Sequence, residues 1–249
     1  MLFRKLLLWL LLLTASSGLF AQQTAVYTEA QAAYKTGLEN YEQNLFGLAQ
    51  KEFKQALELL QPVNEPESEL LRTNAKLHYA KCAVRLDKPE GEKLILDFAR
   101  EHDPEPIATS AVLEMANNYF NDQKWDKAIP LFKQIDGTAM NKEQRMELKF
   151  KLGYSYFVRK RFREARPHFQ AVKGIPSDYA IPATYYYGMT AFYEGRYSEA
   201  ITAFKRVEST KKYRPHVPYY ITQIYFAQGK YDEVIDYGIT KTKDRTLKM

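Results

Sequence analysis

The side chains best suited to catalysis or metal binding are scattered along this sequence. The histidines, His78, His102, His168 and His216, are far apart, and the single cysteine is Cys82. His78 and Cys82 are four residues apart, so they would share one face of a helix. Two ligands are too few for a zinc site, which takes three or four from the protein. The spacing therefore predicts a surface histidine and a buried thiol, with no metal site.

Catalytic motifs of known families are missing as well. The sequence contains no Gly-x-Ser-x-Gly, no His-Glu-x-x-His and no glycine-rich phosphate loop. The acidic stretch EHDPE at 101–105 lacks the spaced ligands of a calcium loop, so we interpret it as a solvated turn. We expect no enzymatic activity and no cofactor. An enzyme with a site outside known motifs is kept only as a third hypothesis.

One run of basic residues could bind an anionic partner. The stretch VRKRFREAR at 158–166 brings together Arg159, Lys160, Arg161 and Arg163, which we take as a candidate basic patch. Clustered cations attract acidic proteins, glycans or phosphates. The alternative is that the run is an ordinary solvated helix face.

The elements that must position these side chains are repeated along the chain. KLGYSYFVRKRFREARPHFQAV at 151–172 and YYGMTAFYEGRYSEAITAFKRV at 186–207 share Gly, Phe, Arg, Glu-Ala, Phe and Val in register. Related stretches and one degenerate copy occur at 44–60, 74–104, 114–135 and 225–238. Six units therefore run from about residue 30 to the end of the sequence.

Each unit has the pattern of two helices. Its apolar residues recur three and four apart in two runs, joined by a short polar turn. In each of the first five units, a small residue lies in the middle of the first helix: Gly37, Ala80, Ala116, Gly153 and Gly188. Glycine inside a helix costs up to ~1 kcal/mol relative to alanine. A glycine that recurs at this position predicts that the neighbouring helix approaches closely.

This pattern resembles the tetratricopeptide repeat family. The small residue in the first helix, the alanine that opens the second and the phenylalanine that follows (Phe53, Phe132, Phe169, Phe204) all match. The tryptophan typical of the fourth position is absent, and the second unit lacks the aromatic residues. The resemblance implies an all-α fold, an α-solenoid of about six repeats within 22–249, in which stacked units bury each other's apolar faces. We place the units near 30–64, 73–106, 109–140, 146–177, 181–213 and 215–242.

The resemblance also implies a binding groove, because in this family the first helix of each unit lines the concave surface. Carried onto this chain, the groove positions include Asn117, Asn121, Tyr154, Tyr185, Met189, Tyr193, Tyr219 and Gln223. Tyrosine and methionine suit a helix or an extended peptide. The alternative is that these aromatic residues only pack between neighbouring helices. The family's clamp for acidic peptide C-termini needs Lys, Asn and Arg at positions that are largely aromatic or apolar here, so we exclude that specificity.

The first residues predict a cleavable signal peptide at 1–21. Arg4 and Lys5 precede an apolar run from Leu6 to Leu13, and small residues follow before Ala21. The alternative, an uncleaved membrane anchor, is disfavoured because a spanning helix needs about 20 apolar residues. Export would place the protein in the periplasm or outside the cell, with no transmembrane segment in the mature chain. The leader and the repeat VPYYITQIYFAQGKYDEVIDYG also resemble the N-terminal part of long secreted repeat proteins of Bacteroidota.

Charge is unevenly distributed along the chain. The pI is about 9.1, yet residues 22–137 hold 13 Lys and Arg against 19 Asp and Glu, whereas residues 138–249 hold 21 against 11. In an exported protein, a basic half predicts contact with acidic proteins, glycans or membrane surfaces and not with nucleic acid. Self-association of the two oppositely charged halves is a further alternative.

Together these features favour an exported scaffold or adaptor of the bacterial cell envelope that binds other envelope proteins or peptides in the groove. The alternative is a peptidoglycan- or glycan-associated factor, in which tyrosines stack on sugars and the basic half meets anionic cell-wall polymer. The last stretch, GITKTKDRTLKM at 238–249, is too short and polar for another helix pair. We expect either docking at that end or continuation into a longer repeat protein.

Overall fold

A computed structural model of the chain describes residues 24–63 and 66–246 and shows six helical pairs there. The predicted signal peptide and its cleavage site lie outside the described residues. The helices are α1 (24–42), α2 (Phe46–Leu60), α3 (Pro66–Arg85), α4 (Gly91–Glu101), α5 (Pro106–Asn121), α6 (Trp125–Gln134), α7 (Lys142–Val158), α8 (Phe162–Val172), α9 (Ala180–Tyr193), α10 (Tyr197–Val207), α11 (Val217–Ala227) and α12 (Tyr231–Thr246). A short 3₁₀ helix spans Gly137–Ala139. The prediction of an all-α protein with about six helical pairs is confirmed.

The chain divides into two compact units, one ending at Met115 and one beginning at Ala116. In the first unit, α3 packs against α2 and α4. In the second unit, each of the helices α7 to α11 packs against the helices before and after it in sequence, and α7 also contacts α9. No helix among the described residues is long and apolar enough to cross a membrane.

The turn between the two helices of each pair has the same backbone conformation every time. A residue with positive φ, between 53° and 73°, lies in each of these turns: Asn44, Asp87, Gln123, Lys160, Gly195 and Gly229. The next residue then donates its N–H to a carbonyl five residues back, as Arg161 does to Tyr156 and Arg196 to Ala191. This bond satisfies a carbonyl that the helix end would leave unpaired. The turns therefore end the first helix and return the chain in the same way each time.

The glycines in the first helices make room for a phenylalanine of the second. A Cβ added to Gly188 would lie 2.9 Å from two ring carbons of Phe204, and one added to Gly37 would lie 2.6 Å from the Phe53 ring. Both rings are fully buried. Gly153 makes the corresponding approach to Phe169, at 3.1 Å. The predicted close approach of the neighbouring helix is confirmed, and it explains why glycine recurs there.

The second pair uses a different glycine. Its first helix has Ala80 at the repeat position, but Gly91 begins the second helix against the α3 backbone. A Cβ on Gly91 would lie 2.8 Å from the carbonyl carbon of Ala83 and from the nitrogen of Val84. The close approach is therefore kept in this pair, while the glycine has moved to the other helix.

Candidate partner-binding surface

His78 and Cys82 lie in the core of the first unit and form no reactive pair. The His78 ring is half-buried among Tyr34, Tyr41 and Phe53, with its Nδ1 2.8 Å from the carbonyl oxygen of Asn74. The prediction of a surface histidine is therefore wrong, because the aromatic residues of the first pair enclose the ring. Burial lowers the pKa of His78.

The Cys82 thiol is packed as a small apolar group. It is fully buried, as predicted, and contacts the cluster that contains Phe53. Burial raises the pKa of the thiol to about 12, so the nucleophilic thiolate is scarce at neutral pH. Among the described residues, no group of three or more His, Cys, Asp and Glu side chains could hold a metal ion.

The predicted groove residues divide by burial. Tyr219 is 62% exposed and Tyr193 52% exposed, and Asn121 and Gln223 are also exposed. Asn117 is half-buried and accepts a hydrogen bond from Lys151 Nζ at 2.8 Å. Tyr154 is half-buried, whereas Tyr185 and Met189 are buried.

Tyr185 is covered by the connection between α10 and α11, and Met189 is buried in the same region. Tyr213, in the connection between α10 and α11, stacks on Tyr185 with ring centroids 4.2 Å apart. Both tyrosines and Met189 belong to one core cluster with Phe204. For these two predicted groove residues, the packing alternative therefore describes the structure, and neither is available to a partner in this conformation.

A continuous aromatic network lies under the exposed tyrosines. Tyr154 contacts Phe120, Trp125, Phe150 and Tyr186. From Tyr186 the network continues through Phe157 to Tyr193, and from Phe192 through Tyr220 to Tyr219. Such ring pairs stabilise a fold by about 0.5–1.5 kcal/mol each beyond their buried area. The network therefore holds Tyr193 and Tyr219 on a rigid base.

Burial keeps the phenol groups of Tyr185, Tyr186 and Tyr213 neutral at physiological pH. Burial raises the pKa of Tyr185, and hydrogen bonding to Tyr220 adds to the shift. Burial likewise raises the pKa of Tyr186, with a smaller contribution from Tyr154. The Tyr213 hydroxyl is buried without a hydrogen-bond partner among the described residues, and burial raises its pKa too. These buried phenol groups therefore add no negative charge beneath the exposed tyrosines.

The exposed part of this surface extends beyond the predicted residues. Tyr219, Gln223 and Phe226 lie at successive helical positions on one face of α11, and Phe226 is 61% exposed. We call Tyr193, Tyr219, Gln223 and Phe226 the exposed belt. Phe226 was not predicted from the sequence, although it continues the spacing of Tyr219 and Gln223. In α12, Tyr231, Ile235 and Ile239 form a second exposed apolar stripe.

The predicted basic patch is split by its ion pairs. Arg159 Nε lies 3.0 Å from the Asp126 carboxylate, and Arg161 lies 2.9 Å from Glu164 and above the Tyr156 ring. Lys160 and Arg163 have no carboxylate within ion-pair distance in the part of the chain that the structure describes. Two of the four cations are therefore available to an anion.

The basic patch and the exposed belt meet at one contact. Phe162, between the patch residues Arg161 and Arg163, stacks on Tyr193 with centroids 4.8 Å apart and planes 9° apart. Nothing in the sequence pattern predicts that the patch and the groove residues touch. The structure brings them together because the turns of the fourth and fifth pairs are neighbours.

Comparison with solved structures identifies the fold. A tetratricopeptide repeat protein from Cytophaga hutchinsonii, represented by its C-terminal part, aligns with a TM-score of 0.60 at 14% identity, over 90% of this chain and 92% of that one. A tetratricopeptide repeat protein from Parabacteroides merdae aligns with a TM-score of 0.56 at 15% identity, over 84% and 77%. This chain has the tetratricopeptide repeat fold. MamA from strain AMB-1 also aligns, with a TM-score of 0.51 at 18% identity over 74% and 93%. No family model and no curated protein sequence matches the chain.

Proposed function

We propose that this tetratricopeptide repeat protein is an exported scaffold of the bacterial cell envelope that binds a partner protein on the exposed belt. The proposal rests on one observation. Three side chains are exposed on the same face of α11: Tyr219, Gln223 and Phe226. Large aromatic residues exposed together on a rigid base are typical of protein interaction sites.

The chemistry of the belt defines the part of the partner that binds. Its aromatic rings offer apolar contact area and lose little side-chain entropy on binding, and Gln223 offers an amide. The belt carries no formal charge. An amphipathic helix or an extended segment with apolar side chains at regular spacing fits such a surface. The fold supports this proposal, since helical repeat arrays provide extended binding surfaces.

The test is affinity capture from envelope extract with the parent protein and a Tyr193→Ser, Tyr219→Ser variant. We expect a specific partner whose recovery falls at least about ten-fold with this variant, as for interface hot-spot residues. A Leu48→Ser, Leu70→Ser variant is the matched control, because both leucines are exposed, at 55% and 70%, in the first unit. Unchanged circular dichroism would show that all the variants are folded.

The capture result can also reject the proposal. Equal recovery with parent and belt variant would mean that the exposed tyrosines do not bind the partner. The variant avoids Tyr185 and Tyr154 because their burial would turn a binding test into a folding test. Export is tested separately, by locating the protein in cell fractions and sequencing its N-terminus.

A second candidate is association with anionic cell-wall polymer. It is favoured by Lys160 and Arg163, two cations without an ion pair in the described residues, close to the exposed ring of Tyr193. Aromatic rings stack on sugars, and cations bind acidic groups. Binding of purified peptidoglycan that depends on Lys160 and Arg163 would favour this candidate over a protein partner.

A further inference from the structure

A cation-rich cleft lies beside the exposed belt, between the turns of the fourth and fifth helical pairs. It has a volume of about 650 Å³. Its cationic lining residues are Lys160, Arg161, Arg163, Arg166 and Arg196. Five cationic side chains thus face two carboxylates, so the cleft has a strong positive surplus that a partner can neutralise.

The two carboxylates of the cleft are already engaged. Glu164 pairs with Arg161 at 2.9 Å. Glu194 is only 14% exposed and lies 3.8 Å from Arg166 and 3.5 Å from Arg196. Burial raises the pKa of Glu194, while the charge of Arg163 opposes that shift. Glu194 therefore pairs with Arg166 and Arg196, and its single charge only partly offsets the cations around it.

The rim is formed by Lys160 and Arg163. Lys160 is the positive-φ residue of its turn (φ 58°), so the turn geometry fixes where its side chain leaves the backbone. Arg163 lies in the first turn of α8, where the helix dipole adds partial positive charge. Both side chains are exposed, and neither has an ion pair in the described part of the chain. They are the cations that an incoming anion would meet first.

The wall of the cleft is continuous with the belt. Phe162 lines the cleft and stacks on Tyr193, which is a belt residue. A segment bound on the belt can therefore continue past Tyr193 into the cleft without leaving the surface. The planar guanidinium groups match carboxylates in paired hydrogen-bond geometry.

We propose that this cleft binds acidic residues of the partner protein, two or more Asp or Glu adjacent to the apolar segment that occupies the belt. The inference rests on the proposed function and specifies its partner class. It differs from recognition of an acidic C-terminus in the groove, because the cations lie at the turns between paired helices. A peptide is favoured over a polysaccharide by the direct continuity of the cleft with the uncharged aromatic belt.

The test measures binding of fluorescein-labelled synthetic peptides to the full chain by anisotropy. The probe is Trp-Leu-Gly-Asp-Glu-Asp-Glu, and the matched peptide replaces its acids by Asn and Gln. The cleft variant is Lys160→Asn, Arg163→Gln, because asparagine tolerates positive φ. The control variant, Lys205→Gln, Lys211→Asn, removes two exposed cations of the same unit that lie outside the cleft lining.

We expect the parent to bind the acidic probe and the cleft variant to bind it at least about ten-fold more weakly, with less than about two-fold loss in the control. The Asn/Gln peptide should not bind. The proposal is overturned if the parent does not bind the probe, or if the cleft and control variants lose equal affinity. It is also overturned if purified peptidoglycan or polygalacturonate, and not the peptide, shows the dependence on Lys160 and Arg163. Failure of the proposed function would appear independently, as equal recovery of the partner by the parent and by the Tyr193→Ser, Tyr219→Ser variant.

Discussion

Replacing Phe204 by alanine is expected to lower the free energy of unfolding of the second unit by about 3–5 kcal/mol, the range for large-to-small changes at buried aromatic sites. Phe204 is fully buried. Its ring contacts Tyr185 and Tyr220, and it fills the space left by Gly188. The substitution removes the Phe204 ring and opens a cavity between the paired helices. Urea unfolding followed by the fluorescence of Trp125, which packs in the same unit, measures the effect.

Phe226→Ala is the matched control for this prediction. It makes the same chemical change in the same unit, but the Phe226 side chain is 61% exposed. We expect a loss below about 1 kcal/mol, as for surface substitutions. Similar losses for Phe204→Ala and Phe226→Ala would contradict the role assigned to the glycine–phenylalanine pairing.

Replacing Gly91 by alanine is expected to destabilise the first unit by about 2 kcal/mol or more, within the range for overpacking. The new methyl group would lie 2.8 Å from two backbone atoms of α3, and backbone cannot swing away as a side chain can. The two helices must therefore separate. Hydrogen exchange of the α3 amides measures the effect directly, and these amides should exchange faster.

The same substitution at Gly47, Gly47→Ala, is expected to have the opposite effect on the stability of the first unit. Gly47 lies inside α2, and nothing lies within 4 Å of the position of its Cβ. Alanine should therefore stabilise the unit by about 0.5–1 kcal/mol, because it reduces the freedom of the unfolded chain. If Gly91→Ala were also neutral or stabilising, the close contact of α4 with α3 would not exist in solution.

Much of the fold follows from the sequence because repeated helix pairs solve the same packing problem each time. Gly188 and Phe204 recur in register with Gly153 and Phe169, so their contact could be inferred before any coordinates were known. Gly91 could not be inferred in the same way, since the second helical pair is a degenerate copy of the repeat. There the glycine moved to the partner helix, a change that pattern matching does not detect.

The candidate site was less predictable. Tyr193 and Tyr219 are exposed, but burial of Tyr185 depends on Tyr213, which lies in the connection between α10 and α11 and not in the helices whose spacing was compared. The charge of Arg159 was visible in sequence, but its pairing with Asp126 was not. Long-range pairing of side chains depends on how neighbouring turns meet, and spacing along the chain does not encode it.

The central claim, that a partner protein lies on the exposed belt, is tested most directly by photocrosslinking. The photoreactive residue p-benzoylphenylalanine would replace Tyr219 on α11 or Lys205 on the exposed face of α10, and adducts formed in cells would be mapped by mass spectrometry. We predict an adduct from position 219 with one segment of one protein, and none with that protein from position 205. Adducts from position 205 alone, or the same adducts from both positions, would contradict the claim.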